Sequence, residues 1–323
     1  MASGNSPTAS RATRRRIDFA HPLVLAAGAL TSCLLWGSAI PCVRMGYQLL
    51  GIDASDTGSQ LIFAGVRFLM AGAVVVMAHS FATRSLSLPN ARDTWAAARI
   101  SIFQTFGQYL LYYIGLAHST GVSGAISQGI DVFASLLISA VIFRMERLTP
   151  RKVAGSLIGF AGILLADAGS RTAGGGGFTL TGEGFVMLAT VSSAFASVLT
   201  RRYAQKSDPV VLCGWQFMMG GLGLLACGSA LGGRFVVRSL AGAAVLGWLV
   251  VVSAVAYAIW SILLKDNDVS RVSIYTFTLP IFGVILSLLI LGDEGGSFGL
   301  LTLVALVLVS LGILLVEREP VSR

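Results

Sequence analysis

Charge is what this chain has least of. Asp, Glu, Lys and Arg make up 12% of its 323 residues, against about 25% in soluble domains. Apolar residues make up 55% and mean hydropathy is +0.80. An ordinary soluble fold is excluded, and disorder more firmly still. The alternating segments of about ten residues that mark a transmembrane barrel are missing; the apolar runs are continuous instead. What remains is a helical integral membrane protein.

Metal-binding and catalytic patterns are also missing. His21, His79 and His118 are scattered near helix ends, with no HExxH. Cys33, Cys42, Cys213 and Cys227 lie inside apolar runs with no pair at metal-ligand spacing, and they read as small packing residues. No metal site and no cofactor are expected. There is no GxxxxGK[ST], hence no self-contained ATP hydrolysis. There is no GxSxG and no Ser–His pair at membrane depth, which counts against an intramembrane hydrolase. Net charge is +8, but the cations sit between apolar runs and form no basic, aromatic face, so no nucleic-acid partner is expected.

What the chain does have is ten apolar runs, at about 22–43, 59–80, 97–117, 122–144, 151–169, 181–200, 209–231, 240–264, 270–292 and 297–316. A bilayer core of roughly 30 Å needs about 20 such residues. The expected fold class is an all-α membrane protein. Residues 1–21 read as a basic cytoplasmic tail with no cleavable signal peptide, and 318–323 as a second tail. The longest polar connection runs from about Arg84 to Asp93. With the N-terminus inside, eighteen Lys and Arg lie on the cytoplasmic side. Four lie outside: Arg44, Arg171, Arg234 and Arg238. This bias puts both termini inside a cell inner membrane.

The halves repeat. Gly65-Val66-Arg67-Phe68 resembles Gly214-Trp215-Gln216-Phe217, and Gly162-Ile163-Leu164-Leu165 recurs as Gly312-Ile313-Leu314-Leu315. Tyr109 matches Tyr257, and Glu146 matches the Asp293-Glu294 pair. The offsets cluster near one value. Residues 22–169 and 181–317 thus read as five-helix repeats joined by a Gly-rich linker, 170–180. Five is odd, so the second repeat is inverted, the architecture of alternating-access transporters. The expectation is a 5+5 inverted repeat around a central cavity.

The polar groups inside the runs are the candidate site. Gly124, Gln128, Asp131 and Ser135 fall on one helical stripe. Asp131 is the only carboxylate deep inside an apolar run, where a charge costs roughly 2.5–3.5 kcal/mol on insertion scales. It reads as the site of a substrate ammonium group or a coupling proton. Gln104, Gln108 and Tyr112 form a second stripe, flanked by Tyr109 and Tyr113. Buried amides need partners, so this stripe is expected to face the cavity. Arg67, Asp131 and Gln108 lie at roughly one depth, 12–14 Å, by helix rise. Arg67 reads either as a carboxylate receptor or as polar support, paired with Asp131 or with helix-end carbonyls. Tyr257 and Trp260 read as an aromatic face toward substrate. Pro280 reads as a hinge. Ser32, Trp36, Thr190, Ser193 and Ser197 read as packing groups. Gly155 and Gly159 allow close helix contact, such as at a homodimer surface.

The chain resembles the drug/metabolite transporter superfamily, in its ten-helix EamA-like branch. The likeness rests on Leu35-Trp36-Gly37-Ser38, Arg67-Phe68-Leu69, Tyr109 to Tyr113 with Gly115-Leu116, Glu146-Arg147-Leu148-Thr149 and Pro280-Ile281-Phe282, in that order over about residues 22–317. The resemblance implies a small-molecule substrate, mostly exported metabolites, amino acids or drugs, and a cavity lined by the third, fourth, eighth and ninth helices. The family often has proline and apolar residues in mid fourth helix. Asp131-Val132 stands there instead, which points to a more polar substrate or to proton coupling. A nucleotide-sugar or phosphate-ester exchanger of the same fold would need a cationic cavity, and a lone Arg67 argues against it. From other classes, a membrane-embedded enzyme would need more titratable groups than Asp131, and the paired halves disfavour a non-transporting scaffold.

Overall fold

The computed structural model describes residues 18–53, 55–118, 124–168, 180–237, 239–291 and 300–318. Among them the chain forms ten helical rods and no strand. These are α1 (Pro22–Leu50), α2 (Thr57–Thr83), α3 (91–118), α4 (124–142), α5 (Pro150–Ala168), α6 (Leu180–Ala204), α7 (Pro209–Ala230), α8 (Leu240–Asp266), α9 (269–291) and α10 (Leu300–Glu317). Each expected run holds one rod. Five of them, α1, α2, α6, α7 and α8, are by length and composition able to cross a membrane. Most of the 170–180 linker and of both tails lies outside the described residues.

Local chemistry sets the ends, and two differ from the expected bounds. α1 runs on to Leu50 with Pro41 inside it, and Gly51 closes it at φ 67°, its N–H bonding the Gln48 and Tyr47 carbonyls. α3 starts at Ala91, within the stretch expected as a loop, because the Asn90 side chain accepts the Asp93 N–H and caps it. α2 and α7 start on Asp56 and Asp208 caps, and Pro209 occupies the first turn of α7.

Packing shows the duplication directly. α2 lies on α7, α5 on α10, α1 against α8 and α9, and α6 against α3 and α4. Exchanging each helix for the one five places away turns the α1 contacts into the α6 contacts and leaves the first two pairs unchanged. That is a two-fold relation between an upright and an inverted five-helix unit. The two self-related pairs cross on glycine. A Cβ at Gly72 would stand 2.5 Å from the Gly214 carbonyl oxygen, and one at Gly312 would stand 2.6 Å from that of Gly155. Small residues at such crossings let backbones approach without lipid between them. Gly155 and Gly159, expected at a homodimer surface, are covered within the chain by Gly312 and by the Phe277 ring.

Four rods depart from α geometry. α3 carries a π turn at Ile102–Gly107, α4 ends in one at Ile138–Ile142, α6 opens with one at Leu180–Gly184, and α9 contains a 3-10 stretch at Ile274–Thr278. All four rods line the central cavity, those of α3 and α9 through the irregular stretch itself. In α9 the cause is visible. Pro280 has no N–H for the Thr276 carbonyl, so the Leu279 N–H bonds it instead, three residues on.

Candidate translocation cavity

A cavity of about 430 Å³ lies between α1, α3, α4, α6, α8 and α9, within the size range of small-molecule sites. Along α1 its lining runs from Trp36 to Tyr47, along α3 from Gln104 to Tyr113, and along α6 from Ser197 back to Ala189. These three directions lead to one face of the bundle, the face opposite the start of α1 and the end of α10. Arg44 stands exposed there. Trp260, Thr276 and Ser197 form the floor.

Of the expected site residues, Gln104, Gln108, Tyr112, Asp131, Tyr257, Trp260 and Arg67 all line this cavity. The Gln128 side chain lies outside the described residues. The π turn widens α3 where Gln104 sits and hands on to Gln108, so both amides reach the same space. Gln108 Oε1 and Trp36 Nε1 are buried without a hydrogen-bond partner among the described residues, which marks them as groups for a guest to satisfy.

The wall is aromatic. Trp36 stands between Tyr257 and Trp260, with ring centroids at 4.8 and 5.0 Å. The Tyr109 and Tyr257 hydroxyls approach to 3.5 Å. At the floor, Asp131 shares the cavity lining with Ser193, and among the described ion pairs no cation reaches it. Arg67 is held from another side. Its Nε donates to Ser253 Oγ at 2.8 Å, and its guanidinium lies 5.0 Å from the Phe68 ring centroid. Of the arrangements open to Arg67 in the sequence, neither the Asp131 pair nor the helix-end carbonyls is the one adopted.

Several lining residues were read from sequence as packing. Trp36, Thr190, Ser193 and Ser197 face the cavity; the three, four spacing of the hydroxyls was the available signal. Ser32 does pack, bonding the Ala256 carbonyl at 3.1 Å. The sequence places Arg44 in an outer loop, because the first apolar run ends near residue 43. The longer α1 carries it into the lining, so Arg67 is not the only cation there.

The profile of the EamA-like transporter family matches this chain twice, over residues 24–166 and 180–318. The chain belongs to that family, and so to the drug/metabolite transporter superfamily. The two matched stretches are the two halves of the helical duplication. This EamA-like transporter is 34% identical over 144 residues to a protein of Synechocystis sp. named an uncharacterized transporter, a match covering 42% of each chain. It is 25% identical over 277 residues to an uncharacterized transporter of Archaeoglobus fulgidus, covering 82% of this chain and 88% of that one. A solved structure, titled only as the crystal structure of a protein, superposes with a TM-score of 0.72 at 21% identity. It covers 90% of this chain and 96% of its own, and at that identity it supports the fold alone.

Proposed function

We propose that this protein is a secondary transporter that exports or exchanges a small metabolite bearing a cationic end, such as an amino acid, an amine or a drug-like amphiphile. Movement is by alternating access, the two inverted halves rocking about the cavity. The observation that carries this reading is Asp131. It is a carboxylate on the floor of an aromatic-lined cavity with no cation paired to it among the described residues. An ammonium group or a coupling proton supplies what the fold leaves out. Gln104, Gln108, Tyr112 and the Trp36, Tyr257 and Trp260 rings hold the rest of the substrate. Arg67 supports the wall, and the 3-10 stretch before Pro280 is the hinge of α9. The Lys and Arg bias supports a cytoplasmic location for the face bearing both chain ends, in a cell inner membrane. No enzymatic activity is assigned.

The test is transport in proteoliposomes of amino acids, polyamines and cationic amphiphiles, with and without a pH gradient. Movement of at least one amine-bearing compound, abolished by Asp131→Asn, is expected. A second reading, exchange of a phosphate ester, is favoured by one observation only, the presence of Arg44 beside Arg67 in the lining. Transport of sugar phosphates but of no amine would select it.

A further inference from the structure

Toward the chain ends, below the cavity floor, polar residues continue where a membrane core would be apolar. α4 continues Asp131 with Ser135 and Ser139 at steps of four, α6 continues Ser197 with Thr200 and Arg201, and α9 adds Ser273. These three helices pack on one another. The hydroxyls of Ser135, Ser139, Thr200 and Ser273 are buried with no hydrogen-bond partner among the described residues. Such groups are costly in a permanently dry interior, but they suit a path that is wet in another state.

The stripe ends in an ion cluster drawn from both repeats. Lys152 Nζ lies 2.6 Å from Glu146 Oε2 and 3.0 Å from Asp268 Oδ2, and Arg201 Nη2 lies 2.9 Å from Asp268 Oδ1. The four side chains are 0–8% exposed. Glu146 also accepts the Ser270 hydroxyl and, at 3.3 Å, the Ser270 N–H. Glu146 and Lys152 come from the first repeat; Arg201, Asp268 and Ser270 come from the second. The Lys152–Asp268 and Glu146–Ser270 bonds therefore tie the repeats together on this face.

The corresponding positions of the other repeat do not carry the same groups. At the separation of 148 that relates Tyr109 to Tyr257, Glu146 corresponds to Glu294, but Lys152 corresponds to Leu300, Arg201 to Asp53 and Asp268 to Thr120. Both cations are missing.

We propose that Lys152 closes an inner gate, and that the buried hydroxyl stripe between α4, α6 and α9 is the inner half of the translocation path, shut in the state described. The one-sided tie sets the resting conformation of the empty protein, with the cavity open away from the chain ends. This rests on the alternating-access reading above.

The test uses full-length protein in proteoliposomes, with the four native cysteines replaced and one reporter cysteine added, either Ser139→Cys in the stripe or Val43→Cys in the cavity lining. A membrane-impermeant thiol reagent is applied separately to each face. With Lys152 present, Ser139→Cys is expected to be protected and Val43→Cys to label from the face opposite the chain ends. Lys152→Met is expected to raise Ser139→Cys labelling from the chain-end face by about tenfold, as a shift in a two-state population, and to slow Val43→Cys labelling. Lys152→Arg should restore protection. If Lys152→Met does not fold, Ser270→Ala, which removes the other tie, carries the same expectation. Unchanged labelling at both reporters in the folded variant overturns the gate. Labelling needs no substrate, so absence of transport alongside Lys152-dependent labelling would sink the transport reading and leave the gate standing.

Discussion

The hydroxyls of Tyr109 and Tyr257 stand 3.5 Å apart, each on a ring that leans against a phenylalanine. Phe68 lies 4.6 Å from Tyr109 and Phe217 lies 5.0 Å from Tyr257, between centroids, and the two phenylalanines meet at 5.0 Å. The four rings are one pair used twice. The same relation links Arg67, which donates to Ser253 at 2.8 Å, to Gln216 and Thr105, whose side chains bond at 2.7 Å. The two-fold axis of the duplicated fold thus passes through the cavity wall between the tyrosines.

Asp131→Asn keeps the shape of the side chain and removes its charge. Transport of an amine-bearing substrate in proteoliposomes should fall at least about tenfold, a loss of about 1.4 kcal/mol of binding or coupling, and its response to a pH gradient should vanish. Thermal stability should hold or rise, because a carboxylate with no paired cation at membrane depth is costly. Wild-type transport of every amine by this variant would remove Asp131 from the site.

The two copies of the polar wall contact should differ in strength. Ser253→Ala leaves a guanidinium without its hydroxyl partner and should cost about 1.5–3 kcal/mol, whereas Thr105→Val breaks a neutral bond worth about 0.5–1.5 kcal/mol. Denaturation of the two purified variants in mixed micelles would rank them. The reverse order would mean that Arg67 is held mainly by Phe68.

Glycine matters at the α2–α7 crossing and not at position 247 of α8. A Cβ at Gly72 meets the Gly214 carbonyl at 2.5 Å, so Gly72→Ala forces the helices apart and should cost about 1–3 kcal/mol. Gly247, on α8, has nothing within 4 Å of the added carbon. Gly247→Ala should be neutral or stabilising by up to about 1 kcal/mol. Equal unfolding temperatures for the two variants would contradict the close crossing.

Acid should loosen the start of α2. The Asp56 carboxylate is bonded by the Ser59 hydroxyl and, at 2.9 Å, by the Ser59 N–H. These bonds, the hydroxyl first, hold its pKa below the usual carboxylate range. A depressed folded pKa contributes stability that is present above the unfolded value, about 3.9, and is lost as pH falls through the folded one. The protection of the first-turn amides of α2, relative to their intrinsic exchange rates at each pH, should therefore fall at acid pH in wild type and lose that dependence in Asp56→Asn. Asp56→Ala should cost about 1 kcal/mol at neutral pH.

The ten rods and the inverted duplication were legible because lipid leaves few options. Apolar runs must be helices, and the matched Arg67 and Gln216 segments showed that five follow five. The site was legible where a polar residue interrupts an apolar run, as Asp131, Gln104 and Gln108 do. It was less legible at Ser193 and Ser197, since a hydroxyl costs little in either packing or cavity. Arg44 falls just past the apolar run at 22–43, and only the structure shows that the helix continues to Leu50 and carries it into the cavity lining. The inner tie was not anticipated at all. Glu146, Lys152, Arg201 and Asp268 lie far apart in the sequence, near helix ends, and only folding brings them together.

Asp131 and Leu279 are separated by the same 148 residues as the paired tyrosines, and both line the cavity. The frame is symmetric but its contents are not, with an acid on one side and an aliphatic chain on the other. A molecule with one charged end therefore has a single resting pose, where a fully symmetric pocket would offer two. Selectivity is then exercised at that end alone. A series of amines lengthened at the far end measures the room left beside Leu279, and the chain length at which transport stops gives the reach of the pocket.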